Sequence, residues 1–243
     1  EMIAVVLAAG MATRLRPLTD TVPKCLLKIG ERTLLERTVD ALVSAGVTRL
    51  VVVTGYREAQ IRTFLLERYP TLSLHFIHNE AYQTTNNIYS LWLAKPVADG
   101  NPFLLLDSDI LFDPQLLAAL TSGKGSSLAV NRHALGDEEM KVVVNPRGEI
   151  TQLTKTCDPQ QAIGESVGIE YIDATYSTAL FRELNKMMTE EHLENVFYEK
   201  AFERLIPKGH SFRVVDTTRY FSVELDTVED FNHAGQLIPP HLY

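Results

Sequence analysis

The first 110 residues alternate between short apolar runs and amphipathic segments, and this alternation constrains the fold more than any other feature. Four runs rich in β-branched and other apolar residues predict strands buried on both faces: Ile3–Ala8, Leu50–Val53, Leu72–Ile77 and Phe103–Leu106. The intervening segments predict helices over residues 33–46, Glu58–Arg68 and Asn87–Ala94. Strands that alternate with helices through short links are typical of an α/β fold with a Rossmann-like, doubly wound and mostly parallel sheet.

The second half of the chain has a different pattern, with more strands and fewer helices. The predicted strands are Lys141–Val144, Glu149–Leu153, Val167–Ile172, Phe212–Val215 and Phe221–Leu225, and the predicted helices are Ala174–Met188 and Val196–Ile206. No repeat and no linker rich in proline or glycine separates the two halves. We therefore expect a single domain over residues 1–243, in which a β-rich part is added to a mixed sheet.

Charge and hydropathy argue against several classes of protein. A net charge of −8 argues against a general binder of nucleic acid or of membrane surfaces, because either would require a positive field. No apolar stretch approaches the length that inserts into a membrane, and the N-terminal residues lack a signal-peptide pattern. Cys25 and Cys157 form no CxxC pair, so a disulfide framework is not expected and a reducing cytoplasm is the expected location.

Four cations lie close together directly after the first predicted strand. Arg14, Arg16, Lys24 and Lys28 follow Gly10, which ends the apolar run. In an open parallel sheet, loops at the carboxyl ends of strands line the ligand crevice, where glycine admits phosphate oxygens and cations bind them. The loop contains neither the P-loop motif nor the GxGxxG fingerprint. We expect it to bind an anion, and the alternative is a surface loop of solvated cations.

Two pairs of acidic residues, each spaced two apart, lie at the ends of predicted strands. Asp107 and Asp109 follow FLLL, and Glu224 and Asp226 end the last predicted strand. Residues two apart on a strand project to one side, and buried strands rarely end in two carboxylates without a cation. Such oxygen ligands suit Mg²⁺. The alternative for the first pair is that it caps a helix beginning near Pro114.

The stretch LAAGMATRLRPLTDTVPKCLLKIG (7–30) closely resembles the opening signature of the nucleotidyltransferases that make nucleotide-diphospho-sugars and related activated head groups. The similarity extends over essentially the whole chain, including TVDALVSAGVTRLVVVTGY (38–56), FLLLDSDILFDPQLL (103–117) and VELDTVEDF (223–231). The segments NEAYQTTNNIYSLWLA, GESVGIEYI, FYEKAFERLI and VELDT resemble, more narrowly, bacterial CTP:phosphocholine cytidylyltransferases. Ala12 departs from the family pattern, which usually has a second glycine at this position.

The resemblance implies that an acceptor phosphate attacks the α-phosphate of a nucleoside triphosphate and releases pyrophosphate. It implies that Asp109 and Asp226 hold Mg²⁺, that Arg14 holds the β- and γ-phosphates, and that Lys24 steadies the α-phosphate. Residues 1–130 would form the nucleotide-binding half and residues 131–243 the acceptor-binding half, whose β-rich part faces the substrate. The implied nucleotide site comprises Leu7, Ala8, Ala9, Gly10, Met11, Ala12, Thr13, Arg14, Lys24, Asn87 and Asp107.

The acceptor is less well defined by the sequence. Lys155 is similar in placement to the family's lysine that meets the acceptor phosphate, and Lys141 is a second candidate. The expected acceptor contacts, for a head group of the phosphocholine, phosphoethanolamine or aminoethylphosphonate type, are Glu165, Tyr171, Tyr198 and Glu224. An ammonium group favours aromatic faces flanked by carboxylates, although Glu224 is also a candidate metal ligand. A sugar or inositol 1-phosphate remains an alternative acceptor, and the resemblance favours CTP over UTP.

Two other functions fit parts of the sequence. Residues 164–168 match GxSxG, the nucleophile elbow of α/β-hydrolases, and Asp226 and His233 follow in the required order. The elbow, however, requires a strand before Ser166 and a helix after it, whereas a polar turn precedes it and a strand-like run follows. A nucleotide sensor without turnover is the other alternative, which Ala12 favours and the complete set of cations and metal ligands opposes.

Overall fold

The computed structural model of the chain describes all 243 residues. Its strands are β1 (Met2–Ala8), β2 (Lys28–Ile29), β3 (Arg32–Thr33), β4 (Val47–Thr54), β5 (Ser73–His78), β6 (Phe103–Asp107), β7 (Ile110–Phe112), β8 (Ser127–Asn131), β9 (Lys141–Val144), β10 (Ile150–Thr154), β11 (Gly164–Ile172), β12 (Arg213–Asp216) and β13 (Ser222–Glu224). Its α-helices are α1 (Leu34–Ser44), α2 (Glu58–Arg68), α3 (Asn87–Leu93), α4 (Lys95–Ala98), α5 (Gln115–Thr121), α6 (Ala174–Thr189), α7 (Glu199–Leu205) and α8 (Val228–Leu237). None of these helices combines the length and the hydropathy needed to span a bilayer.

Nine strands form the central sheet, in which β6, β1, β4 and β5 run parallel to one another. The long strand β11 adds antiparallel to β6, and the order then continues through β9 to β10. Strand β8 also pairs with β11 and carries β12 on its other side. The prediction of an α/β fold with a Rossmann-like mixed sheet and a β-rich second half is therefore confirmed.

Helices cover both faces of the parallel strands, which explains why β1 is apolar along its whole length. Ile3, Val5 and Leu7 pack on the face covered by α3, α6 and α7. The alternate residues Ala4, Val6 and Ala8 pack on the face covered by α1, α2 and α5. Because successive side chains point to opposite faces, a strand between two helical layers has no position for a polar residue.

The structure adds strands that local sequence does not predict. Strand β7 has three residues and pairs with β13, while β8 pairs with β11, so both depend on partners far away in the chain. The predicted strand at Phe221–Leu225 is consequently shorter, Ser222–Glu224, and lies outside the central sheet. The helix predicted from Val196 begins only at Glu199.

The register of the parallel strands brings the functional segments to one edge. Leu7 pairs with Asp107 across β1 and β6, and Ala8 pairs with Thr54 across β1 and β4. The loop after β1 and the acidic residues after β6 therefore leave the sheet side by side. This carboxyl edge is where open α/β sheets bind ligands.

Glu170 is an ionisable residue in the middle of this core. It lies on β11 between Leu105 of β6 and Leu128 of β8, it is fully buried, and neither of its carboxyl oxygens has a hydrogen-bond partner. Burial raises the pKa of Glu170 well above its usual range, and the nearby Glu199 and Asp107 raise it further. The native state therefore favours the protonated form of this side chain.

We expect Glu170→Gln to stabilise the protein, most strongly at high pH. Because the native-state pKa lies above the ordinary value of 4.5, the native state binds the proton more tightly than the unfolded state does. The free energy of unfolding of the parent protein therefore falls as pH rises above that value. Urea unfolding should show a stabilisation at about pH 8 that shrinks towards about pH 5.

Glu67→Gln, at an exposed position on α2, is the matched control and should show no such pH-dependent difference. A Glu170→Gln protein that is less stable than the parent at both pH values would contradict the expectation.

Candidate active site

A cleft of about 780 Å³ opens at the carboxyl edge of the parallel strands. It contains most of the residues expected to bind the nucleotide: Leu7, Ala8, Ala9, Gly10, Ala12, Arg14, Lys24, Asn87 and Asp107. It also contains several residues expected to bind the metal or the acceptor: Asp109, Lys155, Glu165, Glu224 and Asp226. The cleft thus brings together side chains from both halves of the chain.

The loop after β1 turns at Ala12, which has a left-handed backbone with φ 51° and ψ 55°. An L-residue in this conformation is strained by about 1–2 kcal/mol, which is why glycine is usual there. The Ala12 carbonyl accepts hydrogen bonds from the Leu15 N–H and the Thr19 hydroxyl, both at 3.0 Å. The alanine thus adopts the glycine-like turn despite its methyl group. Met11 and Thr13, on either side of it, do not line the cleft.

Residues at and just before the start of α2 anchor residues 19–21 of this loop. Tyr56, Arg57 and Gln60 donate side-chain hydrogen bonds to the carbonyls of three consecutive residues, 19–21. Arg57 has a left-handed backbone, with φ 56°, just before the helix starts. Sequence reasoning missed these three anchors, although a polar TGYR segment directly after a predicted strand is a signal that could have identified them.

Three carboxylates converge beside the loop. Oxygen atoms of Asp109, Glu224 and Asp226 lie within 4.8 Å of one another. The short β7–β13 ladder produces this arrangement, because Glu224 pairs with Ile110 and the Leu225 N–H donates to the Asp109 carbonyl at 2.8 Å. Glu224 is therefore grouped with the two predicted metal ligands.

Two cations of the opening loop reach this carboxylate cluster. The Lys24 Nζ lies 3.2 Å from Oδ2 of Asp109 and 3.6 Å from Oδ1 of Asp226. The Arg14 Nη2 lies 3.8 Å from the same Asp226 oxygen and is largely exposed. Burial lowers the pKa of Lys24, but the charges of Asp109 and Asp226 outweigh that effect and raise it. The cluster therefore keeps Lys24 charged.

The cluster holds more negative charge than Lys24 balances. Burial, together with the charge of Asp109, raises the pKa of Glu224 to about 10 and also raises the pKa of Asp226. Carboxylates that repel one another in this way favour a bound cation, and donors that are all oxygen fit a hard divalent ion. The cluster of Asp109, Glu224 and Asp226 is thus the part of the cleft suited to a metal.

Asp107 lies deeper, at the floor of the cleft. Its carboxyl group accepts hydrogen bonds from the Tyr198 hydroxyl at 3.2 and 3.3 Å. A Cβ atom at Gly168, which has φ +90°, would lie 2.7 Å from the Asp107 Oδ2. Burial, together with the charges of Asp109 and Glu199, raises the pKa of Asp107 well above its usual range. Gly168 therefore provides the space that Asp107 occupies.

The other end of the cleft combines a lysine, an aromatic ring and several acids. The Lys155 Nζ lies 4.5 Å from the centre of the Phe197 ring. Glu199 lines the cleft, is 6% exposed, and has an Oε1 atom with no hydrogen-bond partner. Burial raises the pKa of Glu199 to about 7, and the charge of Lys155 opposes that shift. At the rim, Glu165 and His133 are joined at 2.7 Å.

Three residues expected at the acceptor end do not line the cleft. Tyr171 lies near the far end of β11, pairs with Leu104, and packs on the face covered by α1, α2 and α5. Tyr198 is fully buried beneath the floor, where its ring packs against other aromatic residues and its hydroxyl binds Asp107. Lys141 is also fully buried, with its ammonium group held by backbone carbonyls. The strand periodicity of the sequence does not reveal how deeply each of these side chains is buried.

The serine hydrolase alternative is wrong. Ser166 lies in the middle of β11, which continues to Ile172, so no helix follows it as a nucleophile elbow requires. His233 lies on α8 and does not line the cleft. The second glycine of the motif, Gly168, instead makes room for Asp107.

Comparison with known proteins identifies the family. The pattern of the MobA-like NTP transferase domain matches residues 4–204. The chain belongs to this family. It is therefore a nucleotidyltransferase, as the sequence predicts, and not a sensor without turnover.

Relatives of this nucleotidyltransferase cover nearly its whole length. It is 30% identical to the 2-aminoethylphosphonate cytidylyltransferase of Lancefieldella rimae over 240 residues, which cover 95% of this chain and 92% of that one. It is 25% identical to the choline-phosphate cytidylyltransferase of Haemophilus influenzae over 99% of both chains. The inositol-1-phosphate CTP transferase from T. maritima superposes with a TM-score of 0.78 at 22% identity, over 94% of this chain and 90% of that one.

We expect Ala12→Gly to stabilise this nucleotidyltransferase by about 1 kcal/mol, because relief of the left-handed strain exceeds the added entropy of glycine in the unfolded chain. Thermal or urea unfolding measures the change. Ala118→Gly is the matched control, because Ala118 is exposed within the right-handed helix α5, where glycine should destabilise by about 1 kcal/mol. Destabilisation of both variants would show that the Ala12 backbone is not strained.

Proposed function

We propose that this chain is a magnesium-dependent cytidylyltransferase. It joins CTP to a small phosphorylated acceptor that carries an amine, of the 2-aminoethylphosphonate, phosphocholine or phosphoethanolamine type, and releases pyrophosphate. Residues 1–130 hold the nucleotide and residues 131–243 hold the acceptor. The names of the Lancefieldella rimae and Haemophilus influenzae relatives, which cover the chain from end to end, support this choice of nucleotide and of head group.

The observation that carries the proposal is the excess of acid in the cleft. Nine carboxylates line it, against three lysine and arginine side chains. Asp107 and Glu224 favour the protonated form and Glu165 is hydrogen-bonded to His133, but the acids that remain still outnumber the three cations. Both substrates are phosphates, so such a lining favours the entry of further positive charge with them. A metal accounts for three of the nine, while four others lie in the acceptor half away from the metal cluster: Glu138, Glu139, Glu165 and Glu199. An acceptor that carries an ammonium group supplies the missing charge, and a sugar phosphate does not.

The acceptor end offers partners for both ends of such a molecule, and these lie close together, since the Lys155 Nζ is 4.5 Å from the centre of the Phe197 ring. Lys155 provides a positive charge for the phosphate or phosphonate group. Phe197, which is 39% exposed, and Glu199 both line the cleft and suit an ammonium group, which binds aromatic rings and carboxylates. We assign Lys155 to the acceptor phosphate, and Phe197 with Glu199 to the amine.

The reaction requires positioning more than proton transfer. A phosphate monoester has a second pKa of about 6, so it is largely dianionic at neutral pH and needs no general base. One of its oxygens forms a bond to the α-phosphorus of CTP, while the bond from that phosphorus to the bridging oxygen breaks and pyrophosphate leaves with the electron pair. Arg14 binds the β- and γ-phosphates, and Lys24 binds the α-phosphate as its charge develops.

Asp109, Glu224 and Asp226 are the residues that would hold Mg²⁺, which when bound neutralises phosphate charge during the transfer. Lys24 is in contact with two of these carboxylates, so the protein's own cation and the metal site act on the same phosphates. We assign the reaction to the cytoplasm, in keeping with the free thiols of Cys25 and Cys157.

A second acceptor class has two observations in its favour. The chain is 32% identical to the bifunctional IPC transferase and DIPP synthase of Aquifex aeolicus, over 97% of this chain and 51% of that one. The T. maritima protein, named for inositol 1-phosphate, shares the fold over 94% of this chain. A sugar or inositol 1-phosphate, with CTP or UTP, would use the same phosphate contacts. It would supply no positive charge to offset the acids of the acceptor end.

Pyrophosphate release should require CTP and an amine-bearing acceptor. The assay pairs each nucleoside triphosphate with aminoethylphosphonate, phosphocholine, phosphoethanolamine, inositol 1-phosphate and glucose 1-phosphate, in the presence of Mg²⁺. In Glu199→Gln we expect the KM for the amine-bearing acceptor to rise about 10-fold or more, because a charged contact is lost. The KM for CTP should not change. The measurement is made at about pH 8, above the pKa of Glu199, which burial raises to about 7.

Glu190→Gln, at the exposed end of α6, is the matched control and should behave like the parent. Turnover with inositol or glucose 1-phosphate but with no amine-bearing acceptor would overturn the head group and support the second class.

Asp109→Asn should weaken metal binding and reduce the rate of pyrophosphate release by about 100-fold or more, because the cluster loses one of its three carboxylates. Titration with Mn²⁺ or Mg²⁺ by calorimetry measures the binding separately from the activity. Asp99→Asn is the control, because Asp99 pairs with Lys95 and does not line the cleft. Unchanged metal affinity in Asp109→Asn would contradict the assignment of the site.

A further inference from the structure

Lys141 is a buried cation that forms no direct ion pair. Its side chain is fully buried at the start of β9 and does not line the cleft. Its Nζ donates hydrogen bonds to the Lys155 carbonyl at 2.8 Å and to the Glu139 carbonyl at 3.1 Å. Both acceptors are neutral backbone groups, and no carboxylate lies within ion-pair distance. The ammonium group is therefore placed to bind the backbone at these two points.

Burying an ammonium group costs free energy when no carboxylate contacts it directly. An apolar residue of similar length would avoid that cost, but it would leave the two carbonyls without their donor. The hydrogen bonds formed by a charged donor are about twice as strong as those of a neutral one. The presence of lysine here indicates that holding these two carbonyls matters more than the stability an apolar residue would add.

The two carbonyls belong to the two segments that form the acceptor end of the cleft. One segment is the loop before β9, in which His133, Glu138, Glu139 and Met140 line the cleft. The other segment is the end of β10, where Lys155 follows the strand. Lys155 lines the cleft, and its side chain lies over the ring of Phe197. Lys141 is the side chain that joins these segments to each other.

The backbone of Lys141 adds to this role. Within the sheet it pairs with Thr154, the residue just before Lys155, and with Glu165 on β11. The adjacent carbonyl of Met140 accepts a hydrogen bond from the Ser166 N–H at 2.8 Å. The pairing of β9 with its neighbouring strands thus fixes the position of this segment in the sheet. The Nζ of Lys141 fixes how closely the turn that carries Lys155 approaches the segment.

We infer that Lys141 is a positioning residue for the acceptor: its buried ammonium group holds the backbone of Lys155 and of Glu139, and thereby fixes the Lys155 side chain where it meets the acceptor phosphate. This inference rests on the proposed role of Lys155. It assigns to Lys141 a function different from direct contact with the phosphate.

The test compares Lys141→Met, Lys155→Met and the double variant, each assayed for the KM of the acceptor, the kcat and the dissociation constant of CTP. Lys141→Met should raise the acceptor KM by about 10- to 100-fold, the range expected when the displaced Lys155 side chain loses its charged hydrogen bond to the acceptor phosphate. CTP binding should not change, because Lys141 does not line the cleft and its two hydrogen-bond partners are the carbonyls of Glu139 and Lys155. In the Lys155→Met background, the same substitution should change the acceptor KM by less than about twofold, since the residue through which it acts is gone.

Lys141→Gln, which keeps a neutral donor at the same position, should show an intermediate KM. Lys95→Met, in a surface pair outside the cleft, is the matched control for the change of residue type and should match the parent. CTP binding by calorimetry reports that each variant is folded.

The other outcomes are distinguishable. If Lys155→Met leaves the acceptor KM unchanged, the proposed role of Lys155 fails. If Lys155→Met raises the KM but Lys141→Met does not, or if their effects multiply in the double variant, the positioning role is overturned. Loss of CTP binding and of folding in both Lys141→Met and Lys141→Gln would assign Lys141 to stability alone and would also overturn it.

Discussion

Repulsion among Asp109, Glu224 and Asp226 is the constraint on which the cleft depends. Their oxygens lie within 4.8 Å of one another, and Lys24 supplies the nearest positive charge. Like charges at this separation are unfavourable unless cations accompany them. The arrangement therefore favours the uptake of positive charge, either as protons, which the raised pKa values of Glu224 and Asp226 indicate, or as cations such as those of the opening loop.

The sheet makes this strained arrangement possible because its register is rigid. Parallel strands covered on both faces hold the Gly10 loop and the Asp107 strand end side by side. The β7–β13 ladder, three residues long, then carries the C-terminal acids across to Asp109. A few backbone hydrogen bonds thus hold together carboxylates that repel one another. The folding of the backbone, rather than the ordering of flexible side chains, therefore offsets the free energy of that repulsion.

The acceptor end is built on a different principle. Its shape comes from antiparallel strands and turns, and buried polar groups maintain that shape: Tyr198 beneath Asp107, and Lys141 between the carbonyls of Glu139 and Lys155. Gly168 lets Asp107 approach the β11 backbone, because any side chain there would collide with the carboxyl group. The side of the cleft next to the opening loop thus relies on loop cations, whereas the side next to Lys155 relies on buried polar groups that hydrogen-bond to their neighbours.

The sequence by itself determined the fold class, the strand that precedes Gly10, and most of the charged residues of the cleft, because β/α periodicity and the opening motif are local signals. It also identified Asp109 and Asp226 as candidate metal ligands, although only the family resemblance predicted that these two distant residues act together. Tertiary structure alone decided depth and contact: Tyr171 is partly buried against the face covered by α1, α2 and α5, Tyr198 and Lys141 are fully buried, and Glu224 is grouped with Asp109 and Asp226. The physical reason is that burial depends on which distant strands pair, and β7–β13 and β8–β11 are pairings that no local pattern specifies.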